Sequence, residues 1–223
     1  MTDNTERPLR HSKAEVATVL LSEQDRAERE AKNALRQARR LDEIIEYFIA
    51  TPERKFKLRP STILELNRFA IEGLDSFAGN WRPGNVEISG SRHQPPGAHL
   101  VPEFVEEMCD YVNDGWEMRA THLAAYVMWR MNWIHPFTDG NGRTARAVSY
   151  LVLSMRLNLK IPGNRTIPEM IIDNRVPYYE ALEQADTSPP DAPVVLGKME
   201  ALLEALLAKQ LLTVVSEASG KDY

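Results

Sequence analysis

Apolar residues return at helical spacing along most of this chain, and a single stretch rich in glycine and proline breaks the pattern; together they restrict it to an all-α fold with one small β element. From Ser22, a capping residue with Asp25 three positions on, Ala27, Ala31, Ala34, Leu35, Ala38, Leu41, Ile45 and Phe48 follow at that spacing. They predict a long amphipathic helix that ends before Thr51-Pro52, because the residue before proline avoids the α region. A second helix begins near Pro60-Ser61, carries Ile63, Leu64, Asn67, Ala70, Ile71 and Leu74, and closes around Gly73 and Asp75. The period resumes at Pro102 and runs through Ile134. After a break at His135 to Gly142 it resumes with Ala145, Val148, Leu151, Val152 and Met155, and a leucine-rich last helix covers about Val194 to Val215. The interruption, Ala78 to Gly97, holds a strand-like run from Asn85 to Ser89. A two-stranded hairpin is predicted there, an element that needs the body of the fold for support. The organisation read from these signals is a tail (1–21), an N-terminal helical extension (22–59), a core domain (60–190) and a C-terminal helix packed on it (191–223).

With 223 residues the chain can bury a sizeable core without disulfides. Its one cysteine, Cys109, cannot form an intrachain bridge, which suits a reducing compartment. The first 33 residues lack the apolar stretch of a signal peptide, and no run approaches the ~20 apolar residues of a membrane span. The expectation is a soluble, cytoplasmic protein with no membrane partner. Net charge is −5 with both signs mixed. Arg36, Arg39 and Arg40, the densest basic cluster, are flanked by Glu28, Glu30, Asp42 and Glu43 and read as a solvated helix face, so general nucleic-acid binding is not expected. His93, His99 and His122 have no zinc-ligand spacing.

The stretch Ile134-His135-Pro136-Phe137-Thr138-Asp139-Gly140-Asn141-Gly142-Arg143-Thr144-Ala145-Arg146 carries chemistry. A helix delivers His135, and Pro136 forces it out of helical geometry. Phe137, a lone aromatic in a polar loop, reads as an anchor to the core. Gly140-Asn141-Gly142 can take positive φ, so successive N–H groups can converge on one point, at which the next helix also aims its N-terminal amides. Arg143 and Arg146, three apart, can reach the same anion. Asp139 is poorly placed beside phosphate oxygens unless a cation lies between, which implies Mg²⁺. His135 titrates near neutrality and can take a proton from an attacking hydroxyl. No residue of the loop reads as a nucleophile for a covalent intermediate, so the chemistry expected is direct transfer by positioning and electrostatic stabilisation.

This stretch resembles the signature of the Fic (filamentation induced by cAMP) domain family, His-Pro-Phe-x-Asp-Gly-Asn-Gly-Arg-x-x-Arg, at every defined position. A weaker likeness extends over about Pro60 to Asp186. It includes a flap before the signature, here Val86 to His93, and Asn174-Arg175-Val176-Pro177-Tyr178-Tyr179-Glu180-Ala181-Leu182 after it. The resemblance implies a Fic-type helical bundle that moves AMP from ATP onto a Ser, Thr or Tyr hydroxyl of a target protein by in-line attack on the α-phosphate. His135 would be the base and Asp139 would hold Mg²⁺ against the α- and β-phosphates. The amides of Gly140, Asn141 and Gly142, with the Asn141 side chain, would bind phosphates, and Arg143 and Arg146 would neutralise the leaving end. Gly142 favours AMP transfer over the family's kinase-like branch. Tyr178 and Tyr179 either line an adenine pocket or are core aromatics. Val86, Glu87, Ile88, Ser89 and Gly90 would form a target-docking edge.

Two further readings stay open: transfer of another phosphate-containing group (UMP, phosphocholine or γ-phosphate), and a catalytically quiet, nucleotide-responsive interaction module. Many Fic proteins are held off by a glutamate that pairs with the first arginine after the glycines. Here Glu217 ranks first for that role by its place at a helix end, ahead of Glu65 and Glu30, and a separate inhibitor protein or a homo-oligomer is also open.

Overall fold

A computed structural model describes residues 12–13, 21–188 and 193–219. Among the described residues eight α-helices carry the architecture: α1 (Glu23–Ala50), α2 (Pro60–Ile71), α3 (Val101–Asp114), α4 (Ala120–Ile134), α5 (Asn141–Leu157), α6 (Ile167–Asp173), α7 (Val176–Asp186) and α8 (Gly197–Ser219). Ser22 caps α1 by accepting from the Asp25 N–H at 3.1 Å, and the helix stops at Thr51 before Pro52, as its sequence dictates. Proline at the first turn opens α2, α3, α6 and α7, where its missing N–H leaves no bond unmade.

Helices α4 and α5 form the centre. Their facing sides are apolar and fully buried, with Leu123, Ala124, Val127 and Met131 against Ala145, Val148, Leu151 and Val152. Small residues at Ala124, Ala125 and Ala145 let the two backbones approach closely. Helix α1 packs on α2 and α5, and α8 packs on α4 and α7. Leu41, Ile44 and Ile45 of α1 and Met199 and Leu203 of α8 belong to one continuous cluster with the central pair. Helix α7 packs along α8, and α6 hangs on it through Gln210, whose Oε1 accepts from the Ile167 N–H at 3.0 Å; Gln210 Nε2 donates to the Tyr150 hydroxyl of α5 at 3.0 Å. Cys109 is buried, and burial pushes its thiol up to about 12, so it is inert packing. Among the described residues no helix is long and apolar enough to cross a membrane.

The glycine- and proline-rich interruption does not fold back on itself as a hairpin. Its strand β2 is Glu87–Ile88, and the antiparallel partner is β1, Ser12–Lys13, with Ser12 opposite Ile88 and Lys13 opposite Glu87. After β2 the chain turns at Ser89-Gly90, where the Ser91 N–H reaches the Ile88 carbonyl at 3.2 Å and Gly90 takes φ +74°. The flap thus exists as a loop strapped by a distant strand.

Candidate active site

The signature loop is the six-residue connection between the two central helices. His135 closes α4 in the left-handed region, φ 51°, ψ 58°, and donates its N–H to the Met131 carbonyl at 3.0 Å. A non-glycine residue there costs of the order of 1 kcal/mol and persists only where its surroundings hold it. Several contacts do so. Phe137 is fully buried beside the Trp81 ring, 5.3 Å between centroids, the anchor its sequence implies. Asn67 of α2, also fully buried, donates to the Asp139 carbonyl at 3.1 Å and accepts from the Gly79 N–H at 3.0 Å.

The glycines differ from the expectation of a run of positive φ. Only Gly140 takes it, at +76°, as the cap of α5, and a Cβ there would lie 2.6 Å from Ile71 Cγ2. Gly142 already lies in the first helical turn; a Cβ on it would lie 3.2 Å from Arg146 Nη1, crowding that guanidinium. The Asn141 side chain turns inwards and staples the loop: its Oδ1 accepts from the Phe137 N–H at 2.9 Å and its Nδ2 donates to the Phe137 carbonyl at 2.8 Å. A short-range bond four residues back competes with phosphate for that amide.

His135, Asp139, Gly140, Asn141, Gly142, Arg143, Arg146, Tyr178 and Tyr179 all line one cleft of ≈ 440 Å³; of the docking-edge residues Val86 to Gly90, Ile88 reaches it, as do Ser91 and His93 further along the flap. The His135 Nδ1 faces the Asn132 carbonyl at 3.3 Å; a carbonyl only accepts, so Nδ1 carries the proton and Nε2 the lone pair. Burial pushes the imidazole down to about 4, the charges of Arg82 and His93 act the same way, and the Asn132 carbonyl and Asp139 oppose them. The ring is therefore neutral at pH 7. Asp139 accepts from its neighbour's N–H at Gly140 (2.6 Å) and pairs through Oδ2 with Arg143 at 3.1 Å and with Arg26 of α1 at 3.8 Å. Arg146 has no carboxylate partner among the described residues. Burial lowers its pKa, while Arg175 and Arg143 lower it further. Four guanidiniums, Arg26, Arg143, Arg146 and Arg175, line the cleft, and Arg146 and Arg175, without a carboxylate partner among the described residues, leave positive charge there that makes an anion site.

Tyr178 and Tyr179 are buried, as core aromatics are, and also line the cleft. The Tyr178 hydroxyl accepts from Asn132 Nδ2 at 2.8 Å. Sequence reasoning passed over Arg26, Asn132, Trp133 and Arg175, all on the cleft wall. Helical facing gave a signal for Asn132 and Trp133, since each lies within a turn of His135. Among the described residues no three His, Cys, Asp or Glu side chains gather around a metal position. Asp139, a part-exposed carboxylate just before α5, fits Mg²⁺ that arrives on a nucleotide, because that ion keeps waters and phosphate oxygens and asks few protein ligands.

The Fic/DOC family model matches residues 57–153, which run from α2 through the flap and the signature loop into α5. The chain is 32% identical over 157 residues to a protein adenylyltransferase Fic of Nematostella vectensis, covering 66% of this chain and 33% of the relative. It is 29% identical over 151 residues to one of Drosophila willistoni, covering 66% of this chain and 28% of that one. It spans about a third of the length of these relatives. In fold it is similar to Fic-1 from C. elegans, with a TM-score of 0.63, 23% identity, and 91% of this chain and 54% of that chain covered. A Fic domain containing signaling protein from Bacteroides thetaiotaomicron gives a TM-score of 0.61 at 23% identity, with 86% and 73% covered. The signature loop, the cleft that it lines and the helices around it are all in place, and residues 57–153 form a domain of the Fic/DOC type.

Proposed function

We propose that this protein transfers AMP from ATP to a hydroxyl of another protein. The observation that carries the reading is the pairing of a buried neutral histidine with an anion site in one cleft. The relatives named protein adenylyltransferase Fic support it. Arg143, Arg146 and Arg175, with the amides at the start of α5, would take the triphosphate. Asp139 would hand Arg143 to the phosphates and hold Mg²⁺ in its place; the ion would draw charge off the bridging oxygens. His135 Nε2 would take the proton of the incoming hydroxyl as its oxygen attacks the α-phosphorus and pyrophosphate leaves. Tyr178 and Tyr179 would wall the base pocket. Incubation with α-labelled ATP, Mg²⁺ and a cell lysate tests this; a labelled protein band is expected, and its absence with nucleotide bound would favour the quiet interaction module.

The target would dock along the edge of β2. What supports this is that the edge takes a strand here, the chain's own Ser12–Lys13. A target strand must displace it, so the edge is less open than an unpaired flap. Ile88→Pro removes a main-chain donor from that edge. It is expected to lower target modification roughly ten-fold while ATP affinity holds, as read by label transfer beside nucleotide titration. An unchanged modification rate would place docking elsewhere.

A brake on the anion site follows from α1. Glu30 lines the cleft and pairs with Arg26 at 3.3 Å, which reaches the carboxylate that holds Arg143. Glu65 instead pairs with Arg40 at 3.0 Å on the seam of α1 and α2, and the side chain of Glu217 lies outside the described residues. By its place on the cleft Glu30 stands ahead of Glu65. Glu30→Ala should raise self-modification about ten-fold, the effect of ~1.4 kcal/mol of lost competition with the γ-phosphate. Glu65→Ala should not, and equal rates for both variants would remove α1 as the brake.

A further inference from the structure

Arg82 lies in the Gly/Pro-rich stretch before the flap, yet it is only 2% exposed. A buried guanidinium ordinarily sits against a carboxylate; among the described residues Arg82 has none, and its hydrogen bonds all go to main-chain carbonyls. Nε donates to the His135 carbonyl at 2.8 Å, Nη1 to the Gly84 carbonyl at 2.8 Å, and Nη2 to the carbonyls of Pro96 and, at 3.5 Å, Ile134. Its own N–H donates to the Pro136 carbonyl at 2.9 Å. Gly84 and Pro96 are the two stems of the flap, and Ile134 to Pro136 is the segment that sets the histidine's left-handed backbone. We infer that Arg82 is a positioning residue, one planar fork that fixes the main chain of the catalytic histidine and ties both stems of the flap to it.

The fork geometry decides why arginine stands there. Four of its five N–H donors are directed to three separate strands of main chain, and a lysine ammonium, a point donor on a flexible stem, cannot span them. His135 sits in a conformation that its own residue type disfavours, so it needs such an external hold. The flap carries His93, whose Nε2 meets the Trp133 carbonyl at 2.7 Å, so the same ties place a second ring on the cleft wall. The base and the target-docking edge would thus be held in register by one side chain that touches neither nucleotide nor target.

This inference rests on the transfer reading for its kinetic part and is independent of it for its structural part. The test compares the full chain with Arg82→Lys and Arg82→Gln. Arg92 lies exposed in the flap, and Pro83 follows position 82, so a lysine there adds no tryptic site. Tryptic cleavage after Arg92 should quicken about ten-fold or more in both variants, with cleavage elsewhere unchanged, since the stems are released while the helices stay packed. Single-turnover AMP transfer per nucleotide-bound chain should fall roughly 10²-fold while ATP affinity stays within a few-fold, the effect of a misplaced base. Cleavage at Arg92 at the parent rate would overturn the inference. So would loss of transfer in step with loss of nucleotide-binding sites, which marks a residue that only supports the fold. If the parent transfers no AMP, the transfer reading fails, and the cleavage rates alone decide the role of Arg82.

Discussion

His135→Ala should lower AMP transfer by roughly 10²- to 10⁴-fold, the usual span of general-base catalysis, while ATP affinity stays within a few-fold. In the proposed reaction the imidazole would face the incoming hydroxyl, whereas guanidiniums and main-chain amides of the same cleft, which the substitution leaves alone, would hold the nucleotide. The pH dependence should carry the same signature. Burial holds the His135 pKa near 4, so the base is neutral throughout the physiological range. Its rate contribution should be flat through neutrality and fall only as acidity converts the ring to imidazolium. Bound triphosphate, with its negative charge, would move that fall upward. Transfer by the alanine variant at a rate near the parent's, or a parent rate that rises as the ring is converted to imidazolium, contradicts the assignment. Single-turnover rates at saturating ATP between pH 5 and 8 read both.

Asp139→Ala should weaken binding and transfer together, by about ten-fold or more each, and should erase most of the difference between ATP titrations run with Mg²⁺ and with EDTA. The structure adds a reason to expect a mixed effect. Asp139 holds Arg143 at 3.1 Å, so its loss also frees that guanidinium for the phosphates. In EDTA, therefore, the variant should bind ATP at least as well as the parent. A variant as sensitive to chelation as the parent would show that the metal sits on other ligands.

Much of this arrangement is legible in the sequence, for local reasons. Ser22, Pro52, Pro60 and Pro136 are backbone signals whose action spans a few residues, and the ends of α1, α2 and α4 fall where those residues put them. The chemistry of the loop from His135 to Arg146 is also local, because the end of one helix and the start of the next bring His135, Asp139 to Arg143 and Arg146 to one cleft. What sequence could not give is pairing across distance. Ser12–Lys13 shows no alternation that would mark a strand, and its partner lies far along the chain. Helix α6, seven residues long, is too short for periodicity to stand out, and it is set by its capping box and by Gln210 of α8. Arg82 reads as one more surface charge until the carbonyls of Gly84, Pro96 and His135 are seen around it. The inward turn of Asn141 was hidden for a different reason. Its residue type serves a phosphate and a main-chain staple equally well, and only the position of Phe137 decides between them.

The most direct test of the account is which phosphate of ATP reaches the protein. Parallel reactions of the chain with ATP labelled at the α- or at the γ-position, with Mg²⁺ and a lysate, separate the chemistries that the same base and cradle could serve. The account predicts protein-bound label from α-labelled ATP only, abolished in His135→Ala, with the modified hydroxyl carrying the mass of an adenylyl group. Label from γ-labelled ATP on a protein hydroxyl, dependent on His135, would contradict it and make the protein a kinase built on the same cleft.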